Sequence, residues 1–449
     1  MNKKLKYFYL FIIILFISNC SFDNKTGIWS GGEDEKRRII QLEEDQKNLQ
    51  IIRVFSSSDV YLKEIFPKKN VKLSPPKKNV TWKMPNLNLQ NNVGNIFLPK
   101  IENKLFKKKI GKNKFPISKV SSSPLIYKDN IIFSDDTGSI FSIYKNGKVK
   151  WKKNIYNKVY KKIYKNLSFF IYKNNIYIAD NVGFIYSISL ANGNVNWVKN
   201  HGVPIKSSIK VYDDKIFLVN QDNRLLCISI NKGSLIWDLR SISAFIKSQN
   251  FLALAISKIG DIFMLNSSGD LYKINSQSGS VYWTTNVTSS MVSSNDLFKS
   301  SEIVIENNNI YFSTKSSFFS FNANNGYLNW KTDFNSSNTP IIDGKYIFSI
   351  SDNGYFVNVD KENGKILWSV NIFNILKKRK QNTLITGFVL GSGKIYATTL
   401  NGYLIICSAT TGKVESFKKI DNKGITSSPV INNGSLYILT KKSKLIGLN

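Results

Sequence analysis

The feature that most constrains the fold is a Gly-x-x-x-Trp element that recurs along the chain. Its six complete copies are Gly147/Trp151, Gly193/Trp197, Gly233/Trp237, Gly279/Trp283, Gly326/Trp330 and Gly364/Trp368. Successive tryptophans lie 46, 40, 46, 47 and 38 residues apart, which is the period of a four-stranded blade in a β-propeller. A seventh copy, at Gly412, has the glycine but not the tryptophan. The period predicts one repeat architecture rather than several unrelated domains.

A short strand of alternating apolar and polar residues, entered through a tight turn, precedes each of these glycines and recurs once more near residue 449. This pattern is typical of β-hairpins. The eight strands predicted in this way are 139–143, 184–188, 224–228, 270–274, 317–321, 355–359, 403–407 and 444–448. Eight hairpins predict eight blades.

The eighth hairpin runs to Asn449, so the outer strand of its blade must come from elsewhere in the chain. The segment Val80-Thr81-Trp82-Lys83 stands alone before the first blade. We expect it to complete the last blade, because a strand there pairs edges that would otherwise be exposed. The sequence therefore predicts an all-β, eight-bladed propeller over residues 79–449, closed by an N-terminal strand. Seven tryptophans are expected to pack between blades as structural anchors: Trp82, Trp151, Trp197, Trp237, Trp283, Trp330 and Trp368.

The N-terminus has the pattern of an export signal. Three lysines precede an apolar run of about eleven residues, which is too short to span a bilayer comfortably. The run ends in Ile17-Ser18-Asn19-Cys20, which resembles the lipobox of bacterial lipoproteins, although Asn19 stands where a smaller residue is usual. We expect a signal peptide over residues 1–19, lipidation of Cys20 and a tether over 20–78 with a short helix near 33–50. Ser21 in place of an aspartate favours the outer membrane as the destination.

The net charge of the chain is +33, and clustered cations favour nucleic acid or an anionic membrane as a partner. Only six of the 63 basic residues are arginine, however, and bidentate contacts with phosphates and bases favour arginine. The lysine excess therefore indicates compositional drift more than nucleic-acid binding, and it is compatible with a position near an anionic membrane surface. The basic run 377–380 leaves open a role in binding a polyanion or peptidoglycan.

Groups for catalysis or for metal binding are scarce. His201 is the only histidine, which excludes a histidine-type zinc site and a Ser-His-Asp triad, and we expect it in a surface loop. Cys227 and Cys407 fall in blades 3 and 7, too far apart for a disulfide, so both are predicted to be buried thiols. The sequence predicts no catalytic residue, no metal ion and no cofactor, and hence a protein that is not an enzyme.

The blade pattern resembles the repeat of the pyrroloquinoline-quinone-type propellers over nearly the whole mature chain. With the export signal, the lipobox and the N-terminal closing strand, the chain is similar to the BamB family of lipoproteins. The resemblance implies a scaffold of the outer-membrane β-barrel assembly machinery, which binds the barrel-inserting subunit and assists unfolded outer-membrane proteins. The alternative is a quinone-dependent dehydrogenase, since fold alone does not settle function. Such enzymes hold Ca²⁺ and commonly carry a vicinal cysteine pair, which this sequence lacks.

The resemblance also implies where a partner would bind. In the family, a Leu-x-Leu-Arg element after blade 3 and acidic residues after blade 4 make the contact. Here Ile246 and Ser248 stand at the leucine positions and Gln249 at the arginine. Phe245, Ile246 and Lys247 together form an apolar and cationic patch that could replace that element. The candidate partner-binding residues are Phe245, Ile246, Lys247, Gln249, Asn295 and Asp296.

Overall fold

The computed structural model describes residues 21–22, 29–30, 60–67, 71–115, 122–241, 247–288, 298–380 and 383–449. The chain forms two compact units, residues 1–60 and 61–449. In the first, Ser21–Phe22 pairs with Trp29–Ser30. Cys20 and the helix expected near 33–50 lie outside the described residues. Among the described residues, no helix has the length and apolar character needed to cross a membrane.

The second unit is an eight-bladed β-propeller, in which each blade is a sheet of four antiparallel strands. The strands of blades 1 to 4, from the innermost to the outermost, are Leu125–Tyr127, Asn130–Ser134, Ser139–Tyr144 and Val149–Asn154; Leu167–Tyr172, Asn175–Asp180, Phe184–Ser189 and Val195–Asn200; Lys210–Tyr212, Lys215–Val219, Arg224–Ser229 and Leu235–Arg240; and Ala253–Ile256, Asp261–Leu265, Asp270–Asn275 and Val281–Asn286. The third strand of each blade confirms a hairpin strand predicted from the sequence.

Blades 5 to 8 follow the same order of strands. They are Val304–Glu306, Asn309–Ser313, Ser317–Asn322 and Leu328–Asp333; Ile341–Asp343, Tyr346–Ile350, Tyr355–Asp360 and Ile366–Asn371; Ile385–Gly391, Lys394–Thr399, Tyr403–Ser408 and Val414–Lys419; and Val430–Asn432, Ser435–Leu439, Lys444–Leu448 and Lys104–Lys109. The strand Asn95–Ile96 adds to blade 7 in parallel. Short 3₁₀ helices cover Val60–Leu62, Tyr160–Lys162 and Ile372–Lys380. Thus eight blades are present, as predicted.

The recurring glycine and tryptophan join neighbouring blades. The glycine of one blade packs against the tryptophan of the blade before it, as Gly279 does against Trp237. At Gly279 the backbone has φ +75°, and a Cβ atom would lie 2.8 Å from the Trp237 ring. Glycine is required there for both reasons, because a side chain is strained at positive φ and would collide with the ring. The same contact joins Gly193 to Trp151, Gly233 to Trp197, Gly326 to Trp283, Gly364 to Trp330 and Gly412 to Trp368.

The ring is closed by an N-terminal strand, but not by the one expected. The outermost strand of blade 8 is Lys104–Lys109, which pairs with Lys444–Leu448. Phe106 takes the place of the tryptophan and lies 3.5 Å from the Cβ position of Gly147 in blade 1. The prediction that Trp82 lies in this strand is wrong. Trp82 instead forms a β-bridge with Ile126 in the innermost strand of blade 1, where it is 3% exposed.

The structure also explains why the seventh copy lacks its tryptophan. A tryptophan in the outermost strand of blade 7 would need a glycine turn in blade 8 to pack against. Blade 8 has no such turn, because its outermost strand comes from residues 104–109 rather than from the chain after Leu448. Ser416 therefore occupies the tryptophan position opposite Ile406.

Both cysteines of the ring are free and buried. Cys227 lies opposite Trp237 on the adjacent strand of blade 3. Cys407 lies in the third strand of blade 7. This confirms the prediction of two separate buried thiols. Burial raises the pKa of both thiols, to about 12 for Cys227, so neither is a reactive thiolate at neutral pH.

Candidate binding faces of the ring

The alternation of strand directions gives the ring two different faces. We call the first the turn face: it carries the turns between the first and second strands of each blade and between the third and fourth strands of blades 1 to 7. The second, the connection face, carries the turns between the second and third strands and the connections between blades. Loops on a rigid scaffold commonly carry binding residues, so each face is a candidate for a binding site.

The turn face is closed by residues 71–99, which we call the crossing segment. Its backbone forms hydrogen bonds with innermost strands or their turns in blades 1, 2, 4, 5, 7 and 8, through Ile126, Ile171, Ile256, Ile305, Ser392 and Asn433. It reaches blade 6 through a hydrogen bond from the Ser74 N–H to Asp343 Oδ2, at 2.8 Å. In blade 3, the Lys210 ammonium donates to Asn91 Oδ1 at 2.5 Å. The crossing segment therefore contacts all eight blades.

A buried polar cluster lies beneath the crossing segment. Lys210 and Asn91 are fully buried, and Glu302 is 7% exposed. The Glu302 carboxylate accepts hydrogen bonds from the Ser208 hydroxyl at 3.0 Å and from the Leu254 N–H at 3.2 Å. Because an isolated buried charge is costly, the opposite charges of Lys210 and Glu302 stabilise one another only as a pair.

Burial and mutual attraction act in opposite directions on this pair. Burial raises the pKa of Glu302, and the Lys210 ammonium lowers it. Burial likewise lowers the pKa of Lys210, and Glu302 raises it. Asn91 is held by its own amide group, which donates to the carbonyl oxygens of Leu254 at 3.1 Å and Ile303 at 2.8 Å. The cluster thus fixes the crossing segment to blades 3, 4 and 5.

The residues around this cluster do not fit a calcium ion with a quinone. Calcium requires six to eight oxygen ligands, several of them usually carboxylates. The Glu302 carboxylate is already committed to Ser208, Leu254 and the charge of Lys210. Within the described ranges, no three histidine, cysteine, aspartate or glutamate residues are grouped so as to hold a metal ion. The arrangement supports packing of the crossing segment rather than redox chemistry.

The connection face holds the predicted partner-binding residues that the structure describes. Lys247 is exposed, with its ammonium 3.7 Å from Asp222 Oδ1. Gln249 is exposed, and its carbonyl oxygen accepts a hydrogen bond from the Lys206 ammonium at 3.3 Å. Ser248 between them is buried, and its N–H donates to the Gln221 carbonyl oxygen. Phe245, Ile246, Asn295 and Asp296 lie outside the described residues.

The connections after blades 3 and 4 meet on this face. The Asn250 side-chain amide, in the connection after blade 3, donates to the Phe298 carbonyl oxygen, in the connection after blade 4, at 3.1 Å. Phe251, which sequence reasoning missed, is 46% exposed beside them. Phe251 is a second phenylalanine in the same connection as the candidate Phe245, and this was the available signal. The described parts of these two connections therefore meet on one surface.

His201 and the basic run 377–380 lie in connections between blades. His201 is half-buried rather than a plain surface residue: its Nε2 is buried and has no hydrogen-bond partner among the described residues. Burial lowers the pKa of His201, which favours the neutral imidazole. The backbone of the basic run 377–380 forms the end of the 3₁₀ helix Ile372–Lys380, in the connection after blade 6.

Comparison with known proteins agrees with this architecture. A family model described as "Outer membrane protein assembly factor BamB" matches residues 169–370. Curated proteins of that name match from Shewanella oneidensis, at 20% identity over 58% of this chain and 65% of the relative, and from Escherichia coli, at 28% identity over 26% of this chain and 28% of the relative. The alignments thus span less than two thirds of these relatives.

Solved structures show the same fold. BamB from Moraxella catarrhalis superposes with a TM-score of 0.63 at 12% identity, covering 78% of this chain and all of that chain. A europium-containing methanol dehydrogenase also gives 0.63, at 11% identity, covering 81% of this chain and 90% of that one. The fold and its repeats define the class: an eight-bladed propeller of the pyrroloquinoline-quinone-repeat type. Within that class, the chain is BamB-like.

Proposed function

We propose that this protein is a non-enzymatic scaffold lipoprotein of the outer-membrane β-barrel assembly machinery. In this role it binds the barrel-inserting subunit and assists the folding and insertion of outer-membrane proteins. The observation that carries the proposal is the BamB family match over residues 169–370, which extends from blade 2 to blade 6 and includes the connections after blades 3 and 4.

The partner would dock on the connection face where those two connections meet. Lys247, Gln249 and Phe251 present a cation, an amide and an exposed aromatic ring there. Aromatic residues in the centre of a contact area supply much of the binding energy of protein interfaces. The candidate residues Phe245, Ile246, Asn295 and Asp296 belong to the same two connections in the sequence.

The proposal includes an export signal over residues 1–19, lipidation of Cys20 and attachment to the periplasmic face of the outer membrane. The amino-acid pattern at Ile17-Ser18-Asn19-Cys20 supports the signal and the lipidation, and the names of the curated relatives support only the link to the outer membrane. We expect a Cys20→Ala variant to appear in the soluble periplasmic fraction. Continued attachment to membranes in the absence of any partner would contradict lipidation at this residue.

A quinone-dependent dehydrogenase is the competing function, because three solved structures of this fold are dehydrogenases, two of them quinohemoproteins. The commitment of Glu302 to Lys210, Ser208 and Leu254 argues against it. Purified protein titrated with quinone and Ca²⁺ should show neither saturable binding nor alcohol-dependent dye reduction. Observation of both would establish the dehydrogenase instead.

The scaffold role is tested by affinity purification from detergent-solubilised membranes. We expect the barrel-inserting subunit to be recovered with the wild-type protein. A Phe251→Glu substitution should reduce that recovery roughly tenfold, because it places a charge where an aromatic ring would be desolvated. The matched control is Ile259→Glu on the turn face of blade 4, where the wild-type side chain is 80% exposed; this variant should bind normally. Recovery of no assembly component, or equal losses in both variants, would contradict the proposal.

A further inference from the structure

The positive charge of this chain is distributed unevenly around the ring. The outermost strands of blades 7, 8 and 1 carry nine exposed lysines against one acid, Glu415. The outermost strands of the other five blades carry three basic residues against two acids. Compositional drift alone would spread the lysines over the outermost strands of all eight blades. The nine are Lys104, Lys107, Lys108, Lys109, Lys150, Lys152, Lys153, Lys418 and Lys419.

These three strands form one continuous surface, which we call the basic rim. Phe106 of blade 8 packs against Gly147 of blade 1. On the other side, the Lys107 ammonium of blade 8 donates to the Ile420 carbonyl oxygen at the end of blade 7, at 2.8 Å. The lysines of three consecutive blades therefore act together on whatever approaches this side of the ring.

Among the described residues, no ion pair neutralises the lysines of the basic rim, although the charge of Lys107 acts on the nearby Asp421 carboxylate. None of the nine lysines forms an ion pair with a carboxylate in the part of the chain that the structure describes. Glu415 is bound instead by Lys394, and Asp421 nearby is bound by Lys444 at 2.8 Å. The rim thus presents a large excess of positive charge, which attracts anions over about a Debye length of 10 Å.

Apolar side chains lie among these lysines. Leu105 is 45% exposed and Val149 is 41% exposed, each directly beside a lysine of the rim. Exposed lysines with apolar neighbours are typical of surfaces that rest on a bilayer, since the charged groups meet lipid phosphates while the apolar groups enter the interface. The absence of arginine from the three strands disfavours bidentate recognition of a specific polyanion.

A described segment before the crossing segment is attached to the blade next to the basic rim. Ile65 forms a two-way backbone bridge with Ser369 in the outermost strand of blade 6, with N···O distances of 2.8 and 2.9 Å. The residues before it are therefore joined to the ring at the edge of blade 6, which neighbours blade 7 of the basic rim.

We propose that the basic rim of blades 7, 8 and 1 is a contact surface for an anionic lipid bilayer. Lysine ammonium groups bind the phosphates of lipid headgroups there, with Leu105 and Val149 at the interface. The contact orients the ring on its edge and leaves the connection face of blades 3 to 5 away from the lipid. It depends only on the ring, so it is independent of the scaffold role and of any partner protein.

The test is co-sedimentation of purified full-length protein carrying Cys20→Ala, so that no acyl chain contributes. Vesicles of phosphatidylcholine are compared with vesicles of equal parts phosphatidylcholine and phosphatidylglycerol. We expect binding to the anionic vesicles only, and loss of binding in high salt. Replacement of Lys104, Lys109 and Lys153 by glutamine should weaken that binding by roughly tenfold or more, because each lysine near the surface contributes separately.

A matched control removes three exposed lysines from elsewhere, as Lys199, Lys232 and Lys258→Gln. It changes the net charge equally and should change binding by less than a factor of about two. Leu105→Gln should weaken vesicle binding but leave retention on a heparin column unchanged. Equal losses in both triple variants, or no preference for anionic vesicles, would overturn the proposal. Rim-dependent sedimentation with peptidoglycan sacculi but not with vesicles would assign the surface to a wall polymer instead.

Discussion

The contact between a tryptophan of one blade and a glycine of the next determines how neighbouring blades pack. A tryptophan in one blade requires a glycine in the next, and Gly279 shows both reasons: φ is +75°, and the Trp237 ring fills the space of a side chain. Gly202 has the same φ of +75° but nothing within 4 Å of its Cβ position. Substitutions at these two glycines therefore distinguish the cost of positive φ, which both share, from the cost of steric overlap, which only Gly279 has.

We predict that Gly279→Ala destabilises the protein by about 1 to 3 kcal/mol more than Gly202→Ala. Both substitutions carry the cost of an alanine at positive φ. Only Gly279→Ala also forces the Trp237 ring to move. The free energies of unfolding are compared by urea denaturation monitored by tryptophan fluorescence. Equal losses in the two variants would show that the ring does not limit the size of this residue.

The buried pair Lys210 and Glu302 leads to a prediction that depends on pH. Lys210→Met leaves the buried Glu302 carboxyl without its compensating cation, which should destabilise the protein most where that carboxyl is ionised. Burial already raises the pKa of Glu302, and loss of Lys210 raises it further. A raised folded-state pKa means that the folded protein binds the proton more tightly than the unfolded chain. The deficit should therefore be largest at high pH and shrink as the pH falls through the folded pKa of Glu302.

Urea denaturation of Lys210→Met between about pH 8 and about pH 5 measures this effect. The control is the double variant Lys210→Met with Glu302→Gln, which has no titrating group at this position. Its stability relative to wild type should lack the recovery at low pH that the single variant shows. The same pH profile for both variants would rule out Glu302 as the titrating group.

At the level of elements, the third strands of the blades were predicted correctly, but the closing strand was not. The third strands were predicted because alternation and tight turns are local signals. The closing strand Lys104–Lys109 contains four lysines and a single aromatic residue, so it lacks the pattern of a strand on its own. Its register is determined by Lys444–Leu448, a partner remote in sequence. Trp82 carried the stronger local signal, but its contact with Ile126 serves the crossing segment.

We predict that Phe106→Ala destabilises the ring by about 1 to 2 kcal/mol, since a partly buried aromatic side chain is lost. Leu105→Ala in the same strand removes a side chain that is 45% exposed and should cost less than about 0.5 kcal/mol. Thermal unfolding compares the two variants. A larger shift for Leu105→Ala would mean that Phe106 does not replace the missing tryptophan.

The polar contacts of the site were less accessible to sequence reasoning than the blades. Lys210 is one of many lysines, and nothing in its neighbours marks it as buried beside Glu302. Asn91 lies in an irregular segment whose hydrogen bonds go to eight separate blades, so no period reveals it. The meeting of the connections after blades 3 and 4 depends on Asn250 and Phe298, a contact that only the folded ring creates.

At the scale of the whole molecule, a closed ring protects all its blades together. Cys227 in blade 3 and Cys407 in blade 7 are both buried and report on distant parts of the ring. In a Cys20→Ala background, both thiols should react with a thiol reagent at one common slow rate, because each needs the ring to open. Deletion of residues 104–109 exposes the edge of blade 8 and should make Cys407 react first.

Mass spectrometry of the labelled peptides measures the two rates separately. Phe106→Ala serves as a milder control, in which the closing strand is weakened but present. Faster labelling of Cys227 than of Cys407 in the deletion variant would contradict a ring whose weakest point lies beside blade 8.

The closing strand also has a consequence for how fast the molecule can form. The Ser443 hydroxyl donates to the Lys112 carbonyl oxygen at 2.9 Å, although the two residues are 331 positions apart in the chain. Contacts of such sequence separation slow folding, because loop-closure entropy is lost before they form. The lysine-rich strand Lys104–Lys109 precedes all the blades in the chain, and it stays unpaired until its partner Lys444–Leu448 in blade 8 has formed. We therefore expect ring closure to be the final and slowest step of folding, and the lysines of the closing strand to keep it soluble meanwhile.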